Sequence, residues 1–150
     1  MTITYVKCDS FSGETVGAYA VEVDLGLGID EAARILGVEL SIESSLALAD
    51  GVKARRAAYS FDPEDTTIVL DDDEQFAYLP LVVAGLGTSG GTTANAALYM
   101  DFTGMKLITS RNLAFLALVA DVADTVVGKV FYEKYKPPVA ELTQLIAARR

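Results

Sequence analysis

From Thr125 to Lys136 the chain alternates without a break. Val127, Lys129, Phe131, Glu133 and Tyr135 oppose Val126, Gly128, Val130, Tyr132, Lys134 and Lys136, until Pro137-Pro138 ends the run. Successive side chains of a β-strand point to opposite faces, so a period of two marks a strand. The same period recurs upstream. In Val16–Leu25, Val21, Val23 and Leu25 share one side while Glu22 and Asp24 take the other, and Val38, Leu40 and Ile42 repeat the pattern. Further strands are expected at Ala54–Phe61, Thr66–Leu70, Phe76–Ala84, Thr93–Phe102, Met105–Thr109 and Leu113–Ala120. Pro80 has no amide to donate, so its strand is expected at a sheet edge or a bulge.

The punctuation between these runs is equally informative. Asp50-Gly51 is a turn dipeptide, expected to open a hairpin whose return strand is Ala54–Phe61. Asp62-Pro63-Glu64-Asp65 and Asp71-Asp72-Asp73-Glu74 read as solvated loops, and Gly85–Gly91 as a glycine-rich connector. Two segments read as helices. Asp30–Leu36 has an N-cap candidate in Asp30 and a C-cap candidate in Gly37. Val139–Ala148 follows a proline pair, with Leu142, Leu145 and Ile146 on one stripe and Arg149-Arg150 complementing its C-terminal dipole. About eight short strands with one internal and one C-terminal short helix predict an all-β chain: an antiparallel sandwich, jelly roll or barrel. No linker or internal repeat divides it, so residues 1–150 read as one domain.

Chemistry is scarce along the chain. It contains no histidine, which removes the commonest general base near neutral pH and every imidazole triad. Cys8 is the single cysteine, so an internal disulfide or a multi-cysteine metal site is excluded. Gly85–Gly91 lacks the Lys and following helix of a phosphate loop. Asp71, Asp72, Asp73 and Glu74 are the candidate oxygen ligands for calcium or magnesium. Consecutive acids point in divergent directions, however, and a solvated charge run accounts for them as well. The expectation is a protein that is not an enzyme and needs no cofactor.

Composition directs the search for partners. A hydrophobic fraction of 51% and a mean hydropathy of +0.33 exceed what a free monomer needs. Surplus apolar surface normally marks contacts with partners. The longest apolar runs are too short, or too interrupted by Asp121 and Asp124, to cross a hydrocarbon core of roughly 30 Å. No transmembrane segment and no secretory signal is therefore expected, while peripheral membrane contact stays open. A net charge of −9 with scattered Lys and Arg argues against direct nucleic-acid binding.

The last strand and helix, TVVGKVFYEKYKPPVAELTQLIAARR, resemble the carboxy-terminal part of small jelly-roll virus coat proteins over about forty residues. The resemblance implies a jelly-roll β-sandwich that self-assembles, within a virion, into a capsid or similar symmetric shell with other coat or shell proteins. Its final aromatic-rich strand would complete one sheet and its short tail would pack against a neighbour; in this strand and helix Tyr132, Tyr135 and Ile146 are the candidate subunit contacts. Phe131 and Leu142 are the further candidates, more readily explained as core. The chain departs from many coat proteins in lacking a basic N-terminal arm: Met1–Asp9 carries only Lys7. Any genome contact would then be indirect. The alternative is a monomeric or dimeric binding module that takes carbohydrate or another small ligand on the acidic or glycine-rich loop.

Overall fold

The computed structural model describes residues 3–47, 52–84 and 91–148. The chain forms β1 (Tyr5–Ser12), β2 (Gly17–Val23), β3 (Ala32–Ala47), β4 (Val52–Ser60), β5 (Gln75–Ala84), β6 (Gly91–Asp101), β7 (Ile108–Thr109), β8 (Leu113–Val119), β9 (Thr125–Tyr135) and α1 (Val139–Ala148). They build two antiparallel sheets. Sheet A runs β1-β9-β3-β6, with the two-residue β7 also paired to β3, and sheet B runs β2-β8-β4-β5. Among the described residues no helix is long and apolar enough to cross a membrane.

The pairing has a simple logic once β7 is set aside. The first strand pairs with the last, the second with the second-last, the third with the third-last, and the middle two with each other. This is one long antiparallel ribbon, folded back at the β4–β5 connection and wound so that successive pairs fall in alternate sheets. That winding is a jelly roll. The expected all-β sandwich of jelly-roll type is present, and Pro80 lies on β5, an edge strand of sheet B.

Inward-facing positions of both sheets supply the core. Val126, Val130 and Tyr132 of β9 and Ile35, Val38, Leu40 and Ile42 of β3 meet Phe115 and Leu113 of β8 and Ala57 and Tyr59 of β4. Stacked or tilted rings run through it: Phe11–Phe115 at 5.6 Å, Tyr59–Phe115 at 5.1 Å and Phe61–Phe76 at 4.2 Å between centroids. Gly128 is the seat for two of these rings. A Cβ there would lie 2.6 Å from both the Phe115 ring and the Tyr59 hydroxyl, closer than packing allows.

Four local expectations are corrected. The helix expected over Asp30–Leu36 does not form: β3 begins at Ala32 and pairs with β9 from Tyr135 onward. The cap signals give way to the ladder, because β9 needs a partner along its whole length and Ala32, Ala33 and Ile35 are buried by joining it. A bulge between Ile35 and Gly37 absorbs Leu36, whose carbonyl accepts from the Phe102 amide at 2.8 Å. Gly37 is no helix cap; the Tyr99 side chain lies over it, its hydroxyl 2.6 Å from where a Cβ would be.

The hairpin expected at Asp50-Gly51 also fails. The dipeptide itself lies outside the described residues, but β3 and β4 belong to opposite sheets and face each other across the core. Thr66–Leu70 is a loop, held where the Gln75 side chain accepts from the Val69 amide and donates to the Thr67 carbonyl. Of Met105–Thr109, only Ile108 and Thr109 pair, with Arg34 and Ala33. One strand, β1, has no counterpart among the expected elements.

Candidate functional site

The outer faces of the two sheets differ in kind. Across sheet A, register places Cys8, Lys129, Glu39 and Tyr99 in one row and Ser12, Thr125, Glu43 and Asn95 in another. Arg34 and Glu133, also neighbours across strands, form an ion pair at 3.7 Å. Polar and charged rows thus cross this face, alternating with mixed rows that hold Val6 and Phe131 or Ser10, Val127, Ser41 and Ala97, and β9 alternates between buried and half-buried residues.

Sheet B is apolar over most of both sides; in one outer row Glu22 and Ser60 flank Ala114. Its outer rows read Ala20, Leu116, Ala58, Tyr78, then Ala18, Leu118, Arg56, Pro80. Ala54 and Val82 are paired in the next row. Central strand β8, LAFLALV, is buried at six positions and half-buried at Leu118. An antiparallel strand with one wet face would alternate; this one has none.

What covers the outer face of sheet B is only half a lid. In the segment joining β4 to β5, Ile68 packs with Tyr78 over Ala58, Ala114 and Leu116, which are fully buried. The other half lies open. A shallow groove of about 380 Å3 is lined there by Val16, Ala54, Leu118, Val119 and Ala120. Beside it Val16 is 69% and Val82 60% exposed. Arg56 places a cation on this face, at the border of the covered half.

A second groove, about 460 Å3, runs between α1 and the end of sheet A, lined by residues that include Arg34, Met105, Lys106, Tyr135 and Glu141. Several of its polar groups are engaged within the subunit. Arg34 Nη2 donates to the Thr103 carbonyl at 2.9 Å, the Tyr135 hydroxyl donates to Glu141 Oε1 at 3.2 Å, and Lys106 Nζ lies 3.7 Å from that same oxygen. Burial, then the Glu141 acceptor and its charge, push the Tyr135 phenol up to about 12. It is a fixed donor rather than a base.

The buried polar cluster is structural. Asp124, in the β8–β9 turn, accepts from Ser44 Oγ of sheet A at 2.6 Å and from Arg55 Nε of sheet B at 3.0 Å. It also accepts from the Ala120 and Asp121 amides at 2.9 and 3.0 Å. Burial pushes its carboxyl up, but these donors outweigh burial and hold it below the usual carboxylate range. The charge is thus permanent at neutral pH and ties the turn to both sheets.

The acids singled out in the sequence serve turns. Asp72 Oδ1 accepts from the Glu74 amide at 2.9 Å, Asp62 Oδ1 accepts from the Glu64 amide at 3.0 Å, and Ser60 Oγ donates to Asp65. Among the described residues no three Asp, Glu or Cys side chains converge on one point, so Asp71, Asp72, Asp73 and Glu74 are not brought together as a ligand set. The connector 85–90 lies outside the described residues.

The expected contact residues are dispersed. Tyr132 is 1% exposed, its ring stacked on Tyr5 at 5.5 Å and its hydroxyl donating to the Leu25 carbonyl at 2.9 Å. The subunit's own core holds it, which leaves a neighbour no surface to touch. Tyr135 is half-buried beneath α1, Ile146 is exposed on that helix, and Phe131 lies on the outer face of sheet A, edge-on to Tyr99. The open half of sheet B is absent from the expectations, although Leu113–Ala120 carried the signal: a strand-length apolar run without alternation.

No known family profile matches the chain, and no curated protein matches it. Solved structures of infectious bursal disease virus align with it weakly. The Gt strain structure gives 13% identity and a TM-score of 0.20, covering 97% of this chain and 50% of that one. A subviral particle of that virus's VP2 gives 12% and 0.19 over 93% and 44%, and the Gx strain 14% and 0.16 over 98% and 48%. The chain spans about half the length of these structures. Likeness at this level establishes neither a common fold nor a common role.

Proposed function

We propose that this chain is a structural subunit of a virus capsid or similar symmetric shell, rather than an enzyme, and that it assembles through the outer face of sheet B. The observation that carries the reading is the asymmetry of the sandwich, one outer face crossed by polar and charged rows and the other mainly apolar and half uncovered. A contiguous exposed apolar patch beside a buried one is what partner contacts require. The jelly roll suits the role, being a fold of viral capsid and lectin domains, although fold alone assigns no function. The coat-protein resemblance of the last strand and helix agrees with it. The charged groups favour structure over chemistry, because Asp124, Arg34, Tyr135 and Glu141 are engaged with partners inside the subunit. With a net charge of −9, contact with nucleic acid would pass through another component of the virion.

Light scattering on size-exclusion fractions of the full chain, across salt and pH, tests this. Assemblies that Val16→Asp with Val82→Asp disrupts are the expected result, since both side chains are exposed and their replacement leaves the core intact. A monomer under every condition would remove the proposal.

A further inference from the structure

The half-covered face has a shape that fits a second copy of itself. The β4–β5 segment stands on one half of sheet B as a step, and the other half is the recess lined by Val16, Ala54 and Leu118. A two-fold axis lying parallel to the sheet, along the border between halves, carries each step into the other copy's recess. An isologous contact of this kind must be self-complementary, and the residues on step and recess satisfy that in two ways.

The first is apolar. Val69 and Leu70, at the crest of the step, are 46% and 70% exposed. Their neighbour Ile68 is the residue that packs over Ala58 and Leu116, and the recess offers the same apolar chemistry without a cover. The second is charge. Asp71 and Asp73, both exposed, follow Leu70 directly on the step. Arg56 borders the recess on a face built mainly from Ala, Leu, Pro, Tyr and Val, with Glu22 in the row beyond Ala20. An acidic chain repels its copies in general, so a cation facing an acidic crest is what orients this approach.

We infer that the shell's building unit is a two-fold dimer in which Val69-Leu70 of each copy fills the recess of the other and Asp71 and Asp73 meet the partner's Arg56. This inference rests on the assembly reading of sheet B and adds the partner and its register.

Sedimentation equilibrium of the full chain over a wide concentration range, with circular dichroism melts to confirm folding, is the test. Leu70→Asp, at an exposed position, and Arg56→Asp, at a half-buried one, should each weaken the dimer roughly tenfold or more, as removing one anchoring side chain from an interface does. Adding Asp71→Lys and Asp73→Lys to Arg56→Asp should restore most of that affinity. If Val16→Asp with Val82→Asp dissociates the dimer while Leu70→Asp and Arg56→Asp leave it unchanged, the reciprocal dimer is overturned and the apolar face stands as an assembly surface. A charge swap that fails to recover affinity overturns the pairing of Arg56 with the crest. Wild-type chain that stays monomeric throughout overturns both readings.

Discussion

Asp124→Asn is the most incisive perturbation of the sandwich. Arg55 and Asp124 are 0% and 1% exposed, and the carboxylate joins β3, β4 and the β8–β9 turn through Ser44, Arg55 and two backbone amides. The amide is isosteric but neutral, so it removes the negative charge that faces the buried Arg55 guanidinium. It also replaces one acceptor oxygen with a donor facing donors. Breaking a buried ion pair from one side costs about 3–5 kcal/mol, which for a domain of this size lowers Tm by roughly 10 °C. Urea unfolding followed by circular dichroism measures the loss directly. The acid limb gives an independent check. The folded carboxyl sits below its unfolded value, so its stabilisation is complete above the unfolded pKa of about 4 and fades as pH falls through the folded one. Wild type should therefore lose more stability on acidification than Asp124→Asn. A variant within about 1 kcal/mol of wild type, with an unchanged acid limb, would refute the role assigned to this cluster, since that is less than a single buried charged hydrogen bond contributes.

Other perturbations probe separate parts of the structure. Gly128→Ala forces a methyl against Phe115 and Tyr59 and should cost about 1–3 kcal/mol in denaturant unfolding, as overpacking does. Tyr135→Phe removes the bond to Glu141 and should lower stability by about 0.5–1.5 kcal/mol. In wild type, the ultraviolet phenolate signal of Tyr135, lost in that variant, should develop only at about pH 12. Millimolar calcium should leave the melting temperature unchanged, because Asp71–Glu74 do not converge; a clear rise in scanning calorimetry would return the acidic loop to the metal reading.

The sequence carried the sheets better than the connections. Alternation located β9, and unbroken apolar runs located β8 and β5, because each strand buries one or both faces, and alternation, or its absence, reports that burial. Helix signals misled at Asp30–Leu36 because cap chemistry is local, whereas pairing with β9, remote in the chain, decides the segment. β1 was illegible for the opposite reason. As an edge strand it buries only Tyr5, Asp9 and Phe11 in part, and Asp9 interrupts the apolar pattern. Among the candidate contacts Tyr132 is held in the subunit's own core: it alternates with Phe131, and nothing in a single strand says which face of the pair is the core. The open half of sheet B depends on how far the β4–β5 segment reaches, a tertiary fact that no local pattern encodes.

Concentration-dependent radical footprinting of the full chain addresses the central claim most directly, because it reports on the two outer faces side by side. The account predicts that labelling of Val16, Val82 and Leu118 falls several-fold as assemblies form, while Val6 and Tyr99 on sheet A keep theirs. Protection confined to sheet A, or labelling of both faces unchanged by concentration, would contradict it.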